Sequence, residues 1–291
     1  MADSLEASDR VDVGIIGVPT WRTSLSATGA NATPASIRAA IQRYGTFAAG
    51  VDWPSVADFG DVAEPDGDGE AEAIEAVGRA SARSSLVIAL GGDNALTYSV
   101  ALGAWTAPSD GDPAPGQSRV QDAGLITIDA HHDLRDGVSN GSPVRRLLEA
   151  GLDGNRAVQL GIADFANSEF YDTRAREAGI RVVRRDEFEQ RPLETIAAEA
   201  LETAGAAGGP IHVDVDVDAC DRAVAPACPA SIPGGLSAYQ LRRTVRLLAR
   251  DPRVTSLDIA EVDATRDAED GRTVRLAALV VLEAIAGFAQ R

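Results

Sequence analysis

The chain has 291 residues, long for a single domain yet within the range that α/β folds fill as one unit with a substantial core. It carries 44 acidic residues against 27 basic ones, a formal charge of −17, and every basic residue is Arg, with no Lys. That balance leaves no basic stripe for a nucleic-acid partner and describes a hydrated, self-repelling surface that a salt-rich cytoplasm would screen, so a halophilic source is expected.

The opening Met1-Ala2-Asp3-Ser4 is polar and acidic, without a basic or apolar leader, so residues 1–10 read as a tail and no secretory signal is expected. Residues 11–18 form the first short apolar run, read as a strand, and 34–44 the first helical pattern. A helix at 70–83 and a strand at 85–90 follow, and then the Pro-, Gly- and Asp-rich stretch 107–121, read as a surface excursion or disordered loop. Further strands are expected at 124–128, 157–162, 211–217 and 254–259, and further helices at 143–150, 168–177, 193–204, 237–250 and 273–289. Strand and helix alternate throughout, which implies a three-layer α/β/α fold with a mostly parallel sheet, one domain over residues 11–291. The most apolar stretch, 276–288, is broken by Glu283 and is shorter than a bilayer needs, so it reads as a buried helix and no membrane partner is expected. The two cysteines, Cys220 and Cys228, are too few for a disulfide framework and fit a reduced, cytoplasmic setting as small buried groups.

Two segments carry chemistry. In Ile126-Thr127-Ile128-Asp129-Ala130-His131-His132-Asp133, persisting strand geometry would turn Asp129, His131 and Asp133 to one side and Ala130 and His132 to the other. In Ile211-His212-Val213-Asp214-Val215-Asp216-Val217-Asp218, the same alternation gathers His212 and three acids opposite a valine face. Like charges held together without compensation would have to take up protons or unfold the site, and divalent cations resolve that conflict. Four carboxylates with one imidazole suit Mn²⁺ or Mg²⁺ better than Zn²⁺, and shared carboxylates allow a bridged pair. Either segment alone is a weak signal in so acidic a chain; both lying at strand ends, with two of the three histidines there, is a stronger one. The loop 225–235, rich in Pro and Gly, follows a strand and so is a candidate wall of a site at the carboxyl edge of the sheet.

These residues resemble the ureohydrolase family of arginases, agmatinases and formimidoylglutamases. Gly91-Gly92-Asp93-Asn94 is similar to its Gly-Gly-Asp-His turn, Asp129-Ala130-His131-His132-Asp133 to its Asp-Ala-His-x-Asp motif, and Asp216-Val217-Asp218-Ala219-Cys220-Asp221 to its Asp-x-Asp-x-x-Asp motif. Asp258-Ile259-Ala260-Glu261-Val262 resembles the late Asp-x-x-Glu-Val segment, and with Gly17-Val18-Pro19 and Thr28-Gly29-Ala30 the similarity covers nearly the whole chain. The resemblance implies an arginase-like fold and two Mn²⁺ per chain held by Asp129, His131, Asp133, Asp216 and Asp218, with Asp129 and Asp216 bridging. Asn94 stands where the family has a metal-binding His, so any ligand it offers there is a weaker amide oxygen. Asp214, where the family has a small residue, would back the ligands without joining them.

Residues His131 to Arg135, Ser139 to Arg145 and Asp221 to Ala230 look like the formimidoylglutamase branch. Asp221-Arg222 and Asn140-Gly141 replace the Asp-Pro and His-Gly of the guanidinium hydrolases. The implied reaction is hydrolysis of N-formimidoyl-L-glutamate to L-glutamate and formamide in histidine degradation, with Asp133 and Glu261 catalytic and Arg135, Asn140 and Glu261 binding substrate. Arg135 clamps a substrate carboxylate or pairs with Asp136; His132 shuttles protons in place of the family His or is structural. The other readings are a guanidino hydrolase releasing urea and a metal-poor binding or regulatory subunit. The small-molecule substrate is the expected partner, in a homo-oligomer as relatives form.

Overall fold

The computed structural model describes residues 10–107 and 119–291; residues 1–9 of the expected tail at 1–10 and residues 108–118 of the 107–121 excursion lie outside the described residues. Among the described residues, eight strands form one sheet: β1 (Val11–Val18), β2 (Val56–Asp61), β3 (Ser84–Gly91), β4 (Gly124–Ile128), β5 (Ala157–Ile162), β6 (Arg181–Arg184), β7 (Ile211–Asp216) and β8 (Val254–Ala260). Their order is β2-β1-β3-β8-β7-β4-β5-β6, and each neighbouring pair runs parallel, so all carboxyl ends meet one edge.

The helices are α1 (Thr33–Ile41), α2 (Glu70–Ala82), α3 (Leu96–Thr106), α4 (Pro143–Glu149), α5 (Glu169–Glu177), α6 (Glu187–Gln190), α7 (Leu193–Ala204), α8 (Ala238–Leu248) and α9 (Arg272–Phe288). Side-chain alternation divides them between the two faces of the sheet. Val213 and Val215 of β7, Ile126 and Ile128 of β4 and Leu257 and Ile259 of β8 pack with residues of α1, α7, α8 and α9. On the other face, Val87 and Ala89 of β3 pack with α2 and α3, and Leu125 of β4 with α3, α4 and α5. α8 shows how sequence sets an end and a face. A reciprocal Ser237–Gln240 capping box satisfies its first turn, and Leu241, Thr244, Val245 and Leu248 recur at helical spacing to bury one stripe. Among the described residues, no helix is long and apolar enough to cross a membrane, and α9 is largely buried against the sheet.

Most of the expected strands sit within a residue of their observed ends. The two that the apolar pattern misses, β2 and β6, are the outermost in the sheet and carry mostly exposed or half-exposed residues. The missed α3 is apolar all round, because it lies between the sheet and α2 and so shows no helical stripe.

Candidate metal centre

The four central strands β3, β8, β7 and β4 are adjacent, and each ends in one of the motifs: Gly91–Asn94 after β3, Glu261 after β8, Asp216–Asp218 at the end of β7, and Asp129–Asp133 after β4. Segments far apart in sequence therefore meet at one edge. The alternation argument holds along β7, whose His212, Asp214 and Asp216 share one face, but does not extend to Asp218, which lies past the strand end in the 3-10 helix Val217–Ala219. It does not hold for Asp129–Asp133: β4 ends at Ile128, and Asp133 turns the chain with a positive φ of 53°. Convergence there comes from the turn.

The His131 ring places Nδ1 3.0 Å from Asp218 Oδ2 and 3.4 Å from Asp129 Oδ1. One ligand atom from each of these three residues lies within 4.8 Å of the others, close enough to surround one cation. Backbone donors hold the carboxylates in place. The His131 N–H donates to Asp129 Oδ1 at 2.7 Å, the Ala130 N–H to Asp218 Oδ1 at 3.3 Å, and the Asp218 N–H to Asp216 Oδ1 at 2.8 Å. The other oxygen of Asp129, Oδ2, is buried and has no hydrogen-bond partner among the described residues.

Charge crowding is severe. Burial, with the nearby Asp218 charge, pushes Asp129 up to about 6. Burial and neighbouring carboxylates raise Asp133 and Asp216 as well, Asp129 acting on the first and Asp218 on the second. Burial opposes the His131 imidazolium, but Asp218 and Asp129 outweigh it and push His131 up to about 12; against its own burial, Asp218 is in turn held low by that imidazolium. Acids that repel one another thus crowd around the His131 ring, and a cation, which the ring would bind in its neutral form, would relieve the strain. The donor set, rich in carboxylate oxygen with a single imidazole, fits Mn²⁺ or Mg²⁺.

Asn94 is held differently from its neighbours. Its amide Nδ2 donates to Asp133 Oδ2, and its amide oxygen accepts from the Thr97 hydroxyl at 2.8 Å, so the group facing the acids is an N–H donor. The turn that carries it needs glycine, because a Cβ on Gly92 would lie 1.9 Å from the Thr20 carbonyl oxygen. One rung deeper, Asp214 pairs in register with Asp258, and both are fully buried. Burial and the Asp258 charge raise Asp214, while Asp258 faces His212 Nε2 at 2.9 Å.

Glu261 is buried, with a left-handed backbone at φ 62°, a conformation a side chain other than glycine holds only when its surroundings enforce it. Its Oε1 accepts from the Asn94 N–H at 2.9 Å and from Asn140 Nδ2 at 2.7 Å. Burial pushes Glu261 up to about 8, and these two donors partly offset it. Asn140 is therefore engaged at its amide nitrogen; its oxygen accepts from the Leu25 N–H at 3.0 Å.

A cavity of about 330 Å³ opens over these groups, lined by His131, Asp133, Asp216, Asp218 and Glu261, by Ser24 to Ser26, by Arg135, Asn140 and Gly141, by Ala166 to Ser168 and Tyr171, and by Pro229 and Ala230 of the expected loop wall. Asp136 pairs with Arg174 at 2.8 Å, which leaves the Arg135 guanidinium over the Tyr171 ring, 5.8 Å from its centroid. Gly141 makes room for it, since a Cβ there would meet Arg135 Cδ at 2.7 Å. His132 turns its ring to Gln159, with Nδ1 2.6 Å from the amide oxygen, while Gln159 Nε2 donates back to the His132 carbonyl. This reciprocal pair braces the turn. Cys220 and Cys228 are buried free thiols.

Motif reading does not reach Thr97, Gln159, Asn167 or Tyr171. For Asn167 and Tyr171 the one available signal is position: residues 163–168 follow the carboxyl end of β5, and Tyr171 lies in the first turn of α5.

A family model described as the arginase family matches residues 11–287. The chain is 34% identical to a formimidoylglutamase of Halalkalibacterium halodurans, over 96% of this chain and 88% of that protein. It is 32% identical to the formimidoylglutamase of Bacillus subtilis over 99% and 92%, and 31% identical to a guanidinopropionase of Pseudomonas aeruginosa over 96% and 87%. Among solved structures, B. subtilis formimidoylglutamase superposes with a TM-score of 0.87 at 29% identity, covering 98% of this chain and 90% of that one. Trypanosoma cruzi formiminoglutamase with Mn²⁺ superposes at 0.86 and 24% identity, covering 100% and 97%, which is a likeness of fold.

Proposed function

The chain belongs to the arginase family, and from that premise we propose that it hydrolyses the amidine C–N bond of N-formimidoyl-L-glutamate, yielding L-glutamate and formamide. The observation that carries this reading is the polarity of the cavity. A buried acid, Glu261, lies beside the carboxylate cluster, and Arg135, a cation with no acidic partner among the described residues, lies at an exposed position of the same wall. A substrate with a cationic amidine and carboxylates at the other end matches both. Near-full-length likeness to formimidoylglutamases supports the same substrate.

Two Mn²⁺ are the proposed cofactors, which Asp129, His131, Asp133, Asp216 and Asp218 would hold, the second on the Asp133 side of the cluster. Bound there, such ions supply the Lewis acidity that makes a water nucleophilic near neutral pH. Asn94 stands beside the second position, and only a rotated amide would offer it an oxygen. Glu261 binds the amidinium through its free Oε2 and fixes the amidine carbon over the carboxylate edge. Asp133 orients the attacking water, takes its proton, and passes it to the glutamate nitrogen as the C–N bond breaks. Arg135 holds a substrate carboxylate with its planar fork.

Residues 11–291 are taken as one catalytic unit in a salt-rich cytoplasm, where the lysine-free acidic surface is screened. Exposed Phe47 and Phe165 leave apolar surface that homo-oligomerisation would cover. The test is product identification from a panel of formimidoylglutamate, guanidino acids and agmatine with added Mn²⁺ at molar salt. Formamide and glutamate are expected; strict release of urea would exclude the proposed substrate.

A further inference from the structure

We infer that Asn140 is a positioning residue, a two-ended strut that aims Glu261 at the amidine and at the same time fixes the pocket wall formed by the chain around Leu25. The inference rests on the reading of Glu261 as the amidine partner. An amide offers donors at one end and an acceptor at the other, and both are used here. Nδ2 donates to Glu261 Oε1 at 2.7 Å, and Oδ1 accepts the Leu25 N–H at 3.0 Å. The partners fix which end is which, because a carboxylate requires a donor and a backbone N–H requires an acceptor.

At Glu261 the consequence is directional. Oε1 already accepts from the Asn94 N–H, so with Asn140 it has two donors, which leaves Oε2 as the oxygen open to substrate. The left-handed backbone at φ 62° and the Glu261 N–H bond to the Gly92 carbonyl at 2.9 Å fix where the side chain starts; Asn140 fixes where it ends.

At the wall the consequence is reach. The segment is anchored at its base, where the Asp93 N–H donates to the Thr20 carbonyl and Asp66 Oδ2 accepts from the N–H groups of Trp21 and Arg22. Ser24, Leu25 and Ser26, which line the cavity, lie beyond that base. Their tie to the opposite wall is the bond from Leu25 to Asn140, 115 positions away in sequence. Asn140 thereby joins amidine-binding acid and pocket wall directly, while the far end of the segment is tied past the end of β8 by the Gly29 N–H bond to Asp263 Oδ2 at 2.9 Å.

The test compares the manganese-loaded full chain with its Asn140→Ala variant, using formamidinium and glutarate as separate competitive inhibitors and hydrogen exchange at the Leu25 amide. Formamidinium probes the Glu261 end and glutarate the Arg135 end. The strut predicts that formamidinium binding weakens by about tenfold or more, that glutarate binding stays within about twofold, that KM for formimidoylglutamate rises more than kcat falls, and that the Leu25 amide exchanges faster. Equal weakening of both inhibitors would mean general loosening and would overturn the inference, as would unchanged formamidinium binding or an unchanged Leu25 exchange rate. The two readings fail separately. A parent chain that binds formamidinium but does not turn over formimidoylglutamate sinks the substrate assignment, whereas turnover by the parent with an indifferent Asn140→Ala variant sinks the strut.

Discussion

Replacing Asp129 by Asn should make the metal-free protein more stable at pH 8 while abolishing its response to manganese. The substitution is nearly isosteric and keeps Oδ1 as acceptor for the His131 N–H, so it removes charge with little change of packing. The size of the effect follows from the carboxyl group itself, which burial and Asp218 raise from 3.8 to about 6. That displacement corresponds to about 3 kcal/mol against the ionised form, an order-of-magnitude figure that already includes the attraction to His131. The sign follows from linkage. A folded-state value above the unfolded one means that Asp129 favours folding below about 3.8 and that this contribution is lost as pH rises through about 6. Asn does not titrate, so the variant escapes the loss. In chelator at pH 8 its melting temperature should exceed that of the parent by about 6 °C, taking about 2 °C per kcal/mol for a chain of this size; at about pH 3, below the unfolded value, the two should nearly coincide. With saturating Mn²⁺ at pH 8 the order reverses, because only the parent gains ligand stabilisation. A variant that melts below the parent in chelator at pH 8 would refute the electrostatic reasoning.

Other outcomes follow from particular contacts. Arg135→Ala should raise KM for formimidoylglutamate by about tenfold or more and leave the hydrolysis of formamidine, which has no carboxylate, unchanged; steady-state kinetics on both substrates decides it. Gly92→Ala forces a Cβ to within 1.9 Å of the Thr20 carbonyl oxygen, so the turn carrying Asn94 must move. Denaturant titration should show a loss of about 2 kcal/mol, and manganese affinity should fall with it. With a formal charge of −17, the melting temperature should rise between low and molar KCl as surface repulsion is screened, and a flat response would count against a salt-adapted surface.

The site was more legible in the sequence than its geometry. Asp129, Asp133, Asp214, Asp216 and Asp218 stand out because several acids beside apolar strands have no ordinary place in a core; the family resemblance set Asp214 apart and added His131 as a ligand, and the structure brings the remaining acids and His131 together with Glu261 at one edge. Strand parity describes β7 correctly but not the segment after β4, where the chain leaves the sheet at Ile128 and a turn does the gathering. The side-chain partners were not legible. Nothing local marks Asn140 as joined to both Leu25 and Glu261, or Gln159 as the brace of His132, because these contacts join segments that are remote in sequence. The pairing of Asp136 with Arg174, which frees Arg135, is likewise a fact of folding, since 38 positions separate the two. In the scaffold, β2, β6 and α3 escaped because edge strands and all-round apolar helices lack the alternation that marks half-buried elements.

The claim beneath the rest is that carboxylates delivered by β4 and β7 bind dications jointly. Calorimetric titration of the chelator-treated chain with Mn²⁺, alongside the Asp129→Asn/Asp216→Asn double variant, tests it most directly. Two equivalents per chain are predicted for the parent and no tight binding for the double variant. Two equivalents bound with undiminished affinity after both substitutions would contradict the account.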